Sequence, residues 1–151
     1  MMSSDVITIH TIGYSKKDAE TFFGKLEEAG VRCVIDVRLR NTSHLAGFTK
    51  RDDLRFFLRR VTGIDYVHVP ESAPTEALLD DYLKRRIDWP TYEHRFNEII
   101  TARRIETLVT SERLANACLL CSEASPDKCH RRLVAEYLQR HWGNVRIAHI
   151  L

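Results

Sequence analysis

Ala117-Cys118-Leu119-Leu120-Cys121-Ser122-Glu123-Ala124-Ser125-Pro126-Asp127-Lys128-Cys129-His130-Arg131-Arg132 decides the fold of this 151-residue chain. Its first five residues are an apolar run of the length and character of a strand buried on both faces, the strand type of a parallel sheet. Ser125 suits an N-cap, Pro126 the first helical position and Asp127 a negatively charged first turn, so the spacing predicts a helix from Pro126 onward. Cys121, Ser122 and Glu123 then fall between strand and helix, with Cys129, His130 and Arg131 one turn in. Thiol, carboxylate, imidazole and guanidinium crowd the carboxyl end of a strand, where α/β proteins place their ligands.

Working outward, Val6 to Ile12 alternates and is β-rich, a first strand, and stops at Gly13-Tyr14-Ser15. Ser15 is placed to cap a helix over Lys16 to Ala29 whose buried stripe is Ala19, Phe22, Phe23 and Leu26, closed by Gly30. Arg32 to Val37 is the second strand. Strand, helix and strand of these lengths make a right-handed βαβ unit and demand a parallel pair. A polar loop, Arg38 to Thr49, precedes a helix over Arg51 to Val61 with Leu54, Phe57, Leu58 and Val61 inward. Ile64 to Val69 is a third strand, Pro70 to Pro74 a turn, and Thr75 opens a helix. Trp89-Pro90 breaks that pattern before another helix from Thr91, for which two readings are open: it runs through Arg103-Arg104 to Val109, or it splits there. After the Ala117 strand and the Pro126 helix, Val145 to Ile150 is the last strand. The alternation predicts one α/β domain over residues 1–151: a three-layer sandwich with a mainly parallel sheet of about five strands flanked by helices.

Composition narrows the function. With 44% hydrophobic residues the chain has material for one ordinary core. No stretch reads as a signal peptide or a membrane span, so a cytoplasmic protein with no membrane partner is expected. Lys and Arg number 23 against 21 Asp and Glu, too even a balance to argue for nucleic acid by itself. The pairs Arg59-Arg60, Arg85-Arg86, Arg103-Arg104 and Arg131-Arg132 read as solvated helix faces ahead of a basic patch. Four cysteines without framework spacing point to free thiols. Oligomeric state is not legible.

The candidate chemistry follows from residue types. Cys121, at a strand end near a helix start, is a candidate nucleophile; the competing reading is a small apolar plug. His130 shares a helical face with Leu133, Val134 and Tyr137 and so points inward, as a working imidazole or as part of a structural network. Cys118 and Cys33 belong to the core. A metal held by Cys121, Cys129 and His130 is an alternative, but Cys118 and Cys121 face opposite sides of a strand, and the expectation is no metal and no cofactor. Arg38 and Arg131, with free amides at Ser125, form an anion cradle; salt bridges Arg38–Glu123 or Asp36–Arg131 are the structural alternative. Asp36 and Glu123 form an acid/base pair if their strands are neighbours. Tyr14, Ser15, His44, His68 and Cys129 sit at corresponding levels as ligand-positioning groups. Cys121 stands ten residues from Arg131, which does not match the Cys-x5-Arg loop of thiol phosphatases.

Gly13-Tyr14-Ser15, Ile35-Asp36-Val37-Arg38, Gly47-Phe48-Thr49-Lys50, Tyr66-Val67-His68 and Cys121-x-Glu-x-x-Pro-x-x-Cys-His-Arg together resemble the bacterial and archaeal family catalogued as domain of unknown function 488. The resemblance runs from about Thr11 to Ile150. It implies a compact α/β domain and directs attention to Tyr14, Asp36, Arg38, Cys121, Glu123, Cys129, His130 and Arg131, without implying a settled activity. Members usually carry Pro and Arg where this chain has Thr42 and His44, and glycines where Glu71-Ser72-Ala73 follow Pro70, so if those loops bind substrate, a ligand different from that of a typical member is expected here. The expected function is an enzyme acting on a phosphate-bearing substrate such as a nucleotide, nucleoside or nucleic-acid end. In it Cys121, Glu123, Asp36 and His130 are catalytic, and the partner is an anionic small molecule or nucleotide. The alternative is a non-catalytic nucleic-acid or nucleotide-binding module, and the third reading is an interaction domain whose polar cluster is structural.

Overall fold

The computed structural model describes residues 6–42, 44–123 and 125–151. Five parallel strands form one sheet: β1 (Ile7–Gly13), β2 (Cys33–Asp36), β3 (Asp65–His68), β4 (Ala117–Cys121) and β5 (Val145–Ile150), in the order β3-β2-β4-β1-β5. Six helices connect them: α1 (Ala19–Glu28), α2 (Arg51–Phe57), α3 (Glu76–Leu83), α4 (Trp89–Arg103), α5 (Ser111–Leu114) and α6 (His130–Trp142).

All five residues of β4 are buried, as a central strand covered on both faces requires. Strand alternation deals its side chains to two cores. Cys118 and Leu120 join Ile12 and Val34 beneath α1 and α2, against Phe22, Leu26, Leu54 and Leu58. Leu119 and Cys121 join Ile9 and Ile35 beneath α4 and α6, against Phe96, Leu133 and Leu138. Each such aliphatic or aromatic side chain contributes on the order of 2 kcal/mol through removal from water. The helix after β1 lies on one face and the helix after β4 on the other. The carboxyl ends of these two neighbouring strands are therefore the switch point where open α/β sheets form a crevice.

Helix boundaries depart from the sequence reading in four places, each for a local reason. α1 begins at Ala19, not after Ser15, because the Asp18 carboxylate accepts the Thr21 amide at 2.8 Å while Lys16 takes a left-handed φ of 63°. α2 stops at Phe57 and continues as a π-helical turn, Leu58–Thr62. The wider turn keeps Leu54 and Leu58 inward but swings Phe57 (36% exposed) and Val61 (58%) outward, against expectation. Trp89-Pro90 opens α4 instead of breaking the pattern: Asp88 caps the Thr91 amide at 2.9 Å, and Pro90 needs no donor in a first turn. Of the two readings for the far end of α4, the split holds: Arg104 is left-handed with φ 53°, and Ile105–Thr107 form a separate 3-10 turn.

The fourth departure touches the site. Ser125 does not cap a helix, and Pro126 does not start one. The Ser125 hydroxyl accepts the Asp127 amide at 3.3 Å, making a local turn, and α6 begins at His130 with Cys129 in extended conformation (φ −138°, ψ 138°) at its N-cap. Cys129 is thus a hinge between turn and helix and not a helical residue.

Candidate functional site

Three backbone crossings assemble the rim. The Tyr14 amide donates to the Cys121 carbonyl at 3.2 Å, Ser15 to Ser122 at 3.0 Å, and Val37 to Leu120 at 3.2 Å. Gly13 is required at this crossing, since a Cβ there would stand 1.5 Å from the Glu123 carbonyl oxygen. Beside the rim lies a hollow of about 340 Å³. Cys121, Cys129 and His130 form its floor; Tyr82, Trp89 and Tyr92 are aromatic groups on its wall, the last two stacked with centroids 5.0 Å apart. Tyr14, Arg38, Arg40, Ser122, Glu123 and Lys128 supply its polar lining.

The first guanidinium is fixed by a carboxylate. Arg38, 3% exposed, donates from Nε and Nη2 to the two oxygens of Asp36 at 2.8 Å each, and from Nη2 to the Thr49 carbonyl at 2.7 Å. Tyr66 and Asn41 also donate to Asp36. Burial of Asp36 opposes its ionisation, but the hydrogen bonds and charge of Arg38, helped by Tyr66, outweigh it and hold the carboxyl below its ordinary range. Among the described residues Nη1 of Arg38 has no partner, and its guanidinium lies 5.5 Å from the Tyr14 ring centroid. The ion pair is therefore Arg38–Asp36, and neither Arg38–Glu123 nor Asp36–Arg131. Asp36 ends β2 and Glu123 follows the neighbouring β4, yet Asp36 is buried and saturated while Glu123 is exposed at the rim.

Arg131 is wholly buried and does not line the hollow; it donates to the Glu123 carbonyl and to Cys129 Sγ at 3.6 Å. With the helix start moved to His130, the cradle of Arg131 and Ser125 amides is not formed. Among the described residues Ser15 contributes its backbone amide, and His68 donates from Nε2 to the Arg38 carbonyl, 3.0 Å away. His44 begins a 3-10 turn, His44–Thr49; its side chain lies outside the described residues. The basic pairs are dispersed: Arg86 meets Asp81, Arg103 the Glu71 and Ala73 carbonyls, and Arg132 both Glu93 and Glu136.

At the floor, a hydrogen bond from Cys129 is the leading influence on Cys121. Burial opposes it, and the amides of Ser122 and Glu123 and the charge of Arg131 reinforce it, so the Cys121 thiol is held below its ordinary range. Cys129 is pushed the other way by donating that bond and by burial. The ring of His130 is anchored by the Val37 carbonyl, 2.6 Å from Nε2. A carbonyl only accepts, so Nε2 carries a proton.

Cys121, Cys129 and His130 bring their donor atoms within 4.8 Å of one another, so the metal alternative has a geometric basis. Its fit fails on direction. Sγ of Cys121 lies 3.5 Å from Nδ1 and 3.9 Å from Nε2 of the same ring. A sulfur on the lone-pair axis of one nitrogen would stand about 2 Å farther from the other. The thiol thus rests against the ring between its nitrogens, and the imidazole does not present a lone pair to a point shared with the sulfurs, as tetrahedral ligation needs. No metal is assigned.

Arg40, Lys128, Tyr82, Trp89 and Tyr92 were not candidates from the sequence. Tyr82 and Tyr92 satisfy helical periodicity and read as core, Trp89 reads as part of a helix break, and Arg40 reads as one residue of a polar loop, although it bridges Glu76 at 2.6 Å and Asp80 at 3.2 Å at the hollow's edge. The Val37 carbonyl carries no side-chain signal at all.

The chain belongs to the family described as Domain of unknown function DUF488, whose model matches residues 18–138. No curated protein and no solved structure matches it. Among the described residues, no helix is long and apolar enough to cross a membrane.

Proposed function

We propose that the hollow is the active site of an enzyme acting on a small phosphate-bearing substrate with a planar ring, of the nucleotide class, with Cys121 as its nucleophile. The observation that carries this reading is the Cys121 sulfur on the floor of an aromatic-walled hollow lined by Arg38, Arg40 and Lys128, with a thiol, two amides and a buried guanidinium arranged to favour its thiolate. Arg40 and Lys128 at the mouth and Arg38 in the wall supply charge for a phosphate, while Tyr82 and Trp89 offer ring faces. Glu123, exposed at the rim, is the acid/base. Asp36 is a positioning residue acting through Arg38. His130 is held by Val37 against the thiol and fixes the floor.

Chloroacetamide labelling of the native protein tests the nucleophile. Cys121 is expected to label at least about tenfold faster than Cys33 or Cys118, and millimolar adenosine monophosphate is expected to slow that labelling. Equal rates at the three cysteines would overturn the assignment. The binding-module alternative keeps the same hollow; under it, Cys121→Ser retains nucleotide affinity and the wild-type thiol is no faster than its buried neighbours.

A further inference from the structure

We propose that Cys121 and Cys129 are a peroxide-responsive pair: a hydroperoxide oxidises Cys121, and Cys129 resolves it by closing a disulfide across the floor of the hollow. The inference rests on Cys121 being the reactive thiol and adds a second modification site and a regulated state to it.

Among the four cysteines, Cys33 and Cys118 are committed elsewhere. The Cys33 thiol contacts the Val34 carbonyl at 3.7 Å and the Arg113 guanidinium at 3.6 Å, and Cys118 donates to the Leu119 carbonyl at 3.8 Å on the opposite face of β4. Cys121 and Cys129 place their sulfurs within 4.8 Å, on the floor of the open hollow. A disulfide needs about 2.05 Å, so one side must move. Cys129 is able to, because it precedes α6 with extended backbone and follows the turn at 125–128. Arg131 donates to Cys129 Sγ at 3.6 Å, an interaction that strengthens as that sulfur gives up its proton.

The chemistry balances. The Cys121 thiolate attacks one oxygen of hydrogen peroxide; an S–O bond forms as the O–O bond breaks, and the departing hydroxide takes the proton Cys121 released and leaves as water. Sulfur is oxidised by two electrons and peroxide reduced by two. The Cys129 sulfur, losing its proton, then attacks the sulfenic sulfur. The S–S bond forms, the S–O bond breaks, and the hydroxide leaves with that proton as a second water. The disulfide removes the nucleophile while shielding it from irreversible oxidation, and an external thiol restores it.

The full-length reduced protein, treated with a small molar excess of hydrogen peroxide and quenched with catalase, is alkylated in denaturant and mapped by mass spectrometry. The peptides of Cys121 and Cys129 are expected joined, with Cys33 and Cys118 alkylated, and with a loss of about 2 Da that dithiothreitol reverses. In Cys129→Ser or Cys129→Ala, Cys121 is expected to accumulate as a dimedone-reactive sulfenic acid and then sulfinic acid. Wild-type protein that keeps four thiols, or takes Cys121 to sulfinic acid without a disulfide, overturns the proposal without recourse to a variant. Fast chloroacetamide labelling with no disulfide sinks the pairing alone, whereas slow labelling sinks the nucleophile whatever peroxide does.

Discussion

Cys118 and Cys121 lie three residues apart on one strand and live in different solvents. Cys118 faces α1 and α2, fully buried among Leu120, Ile12 and Phe22, and burial pushes its thiol up. Cys121 is nearly as covered, 4% exposed, yet a second thiol, two amides and a guanidinium charge carry its thiol down. Solvent exposure does not separate them. What does is the company at the strand's end, where the backbone stops pairing and its amides become available to a side chain.

The strongest way to test this contrast is at the buried Asp36–Arg38 ion pair beside the rim. Removing the carboxylate with Asp36→Ala leaves Arg38 buried and uncompensated, and is expected to cost about 3–5 kcal/mol in urea denaturation, as much as emptying part of the apolar face. A cost below about 1 kcal/mol would mean the rim is wet and loosely held. Next in size is the pair of thiols. Cys118→Ser buries a hydroxyl among hydrocarbon and is expected to cost about 1–3 kcal/mol, whereas Cys121→Ser, whose site already offers donors, is expected to cost under about 1 kcal/mol. Equal costs would erase the distinction between the two faces.

The smallest effect is one of pH. His10 and His149 are held below their ordinary range, in both cases first by burial, so the unfolded chain binds their protons more readily. Stability from these groups is complete above about pH 6.5 and declines as the pH falls toward their folded values. Asp36, also depressed, contributes above the ordinary carboxylate range and is lost only as the pH falls through its folded value. Urea midpoints are therefore expected to begin falling below about pH 6.5, with His10→Gln/His149→Gln flattening that first decline but not the acid limb.

The sheet was legible because β4 is apolar throughout and because β1, α1 and β2 succeed one another at the lengths of a βαβ unit, which requires a parallel pair. Helix starts were less so. Ser125-Pro126-Asp127 has every mark of an N-terminus, but the Ser125 hydroxyl was spent on a turn and Cys129 became the cap. The gathering of Cys121, Cys129 and His130 followed from chain proximity and could be foreseen. The wall of Tyr82, Trp89 and Tyr92 could not, since burial against core and burial against a hollow leave the same periodicity for the two tyrosines, and Trp89 read as a helix break. Nor could the separation of the two arginines, because Arg38 and Arg131 differ only in which groups the fold lays beside them.

Gly13 carries the last consequence. Where it passes Glu123, two main chains touch with nothing between them, so neither can shift without pushing the other. Any ligand that nudges the Ser122–Glu123 corner must therefore be felt one residue along, at Tyr14, and through its ring at Arg38. The bare α-carbon acts as a bearing surface, by which movement on one strand's tip is handed mechanically to its neighbour.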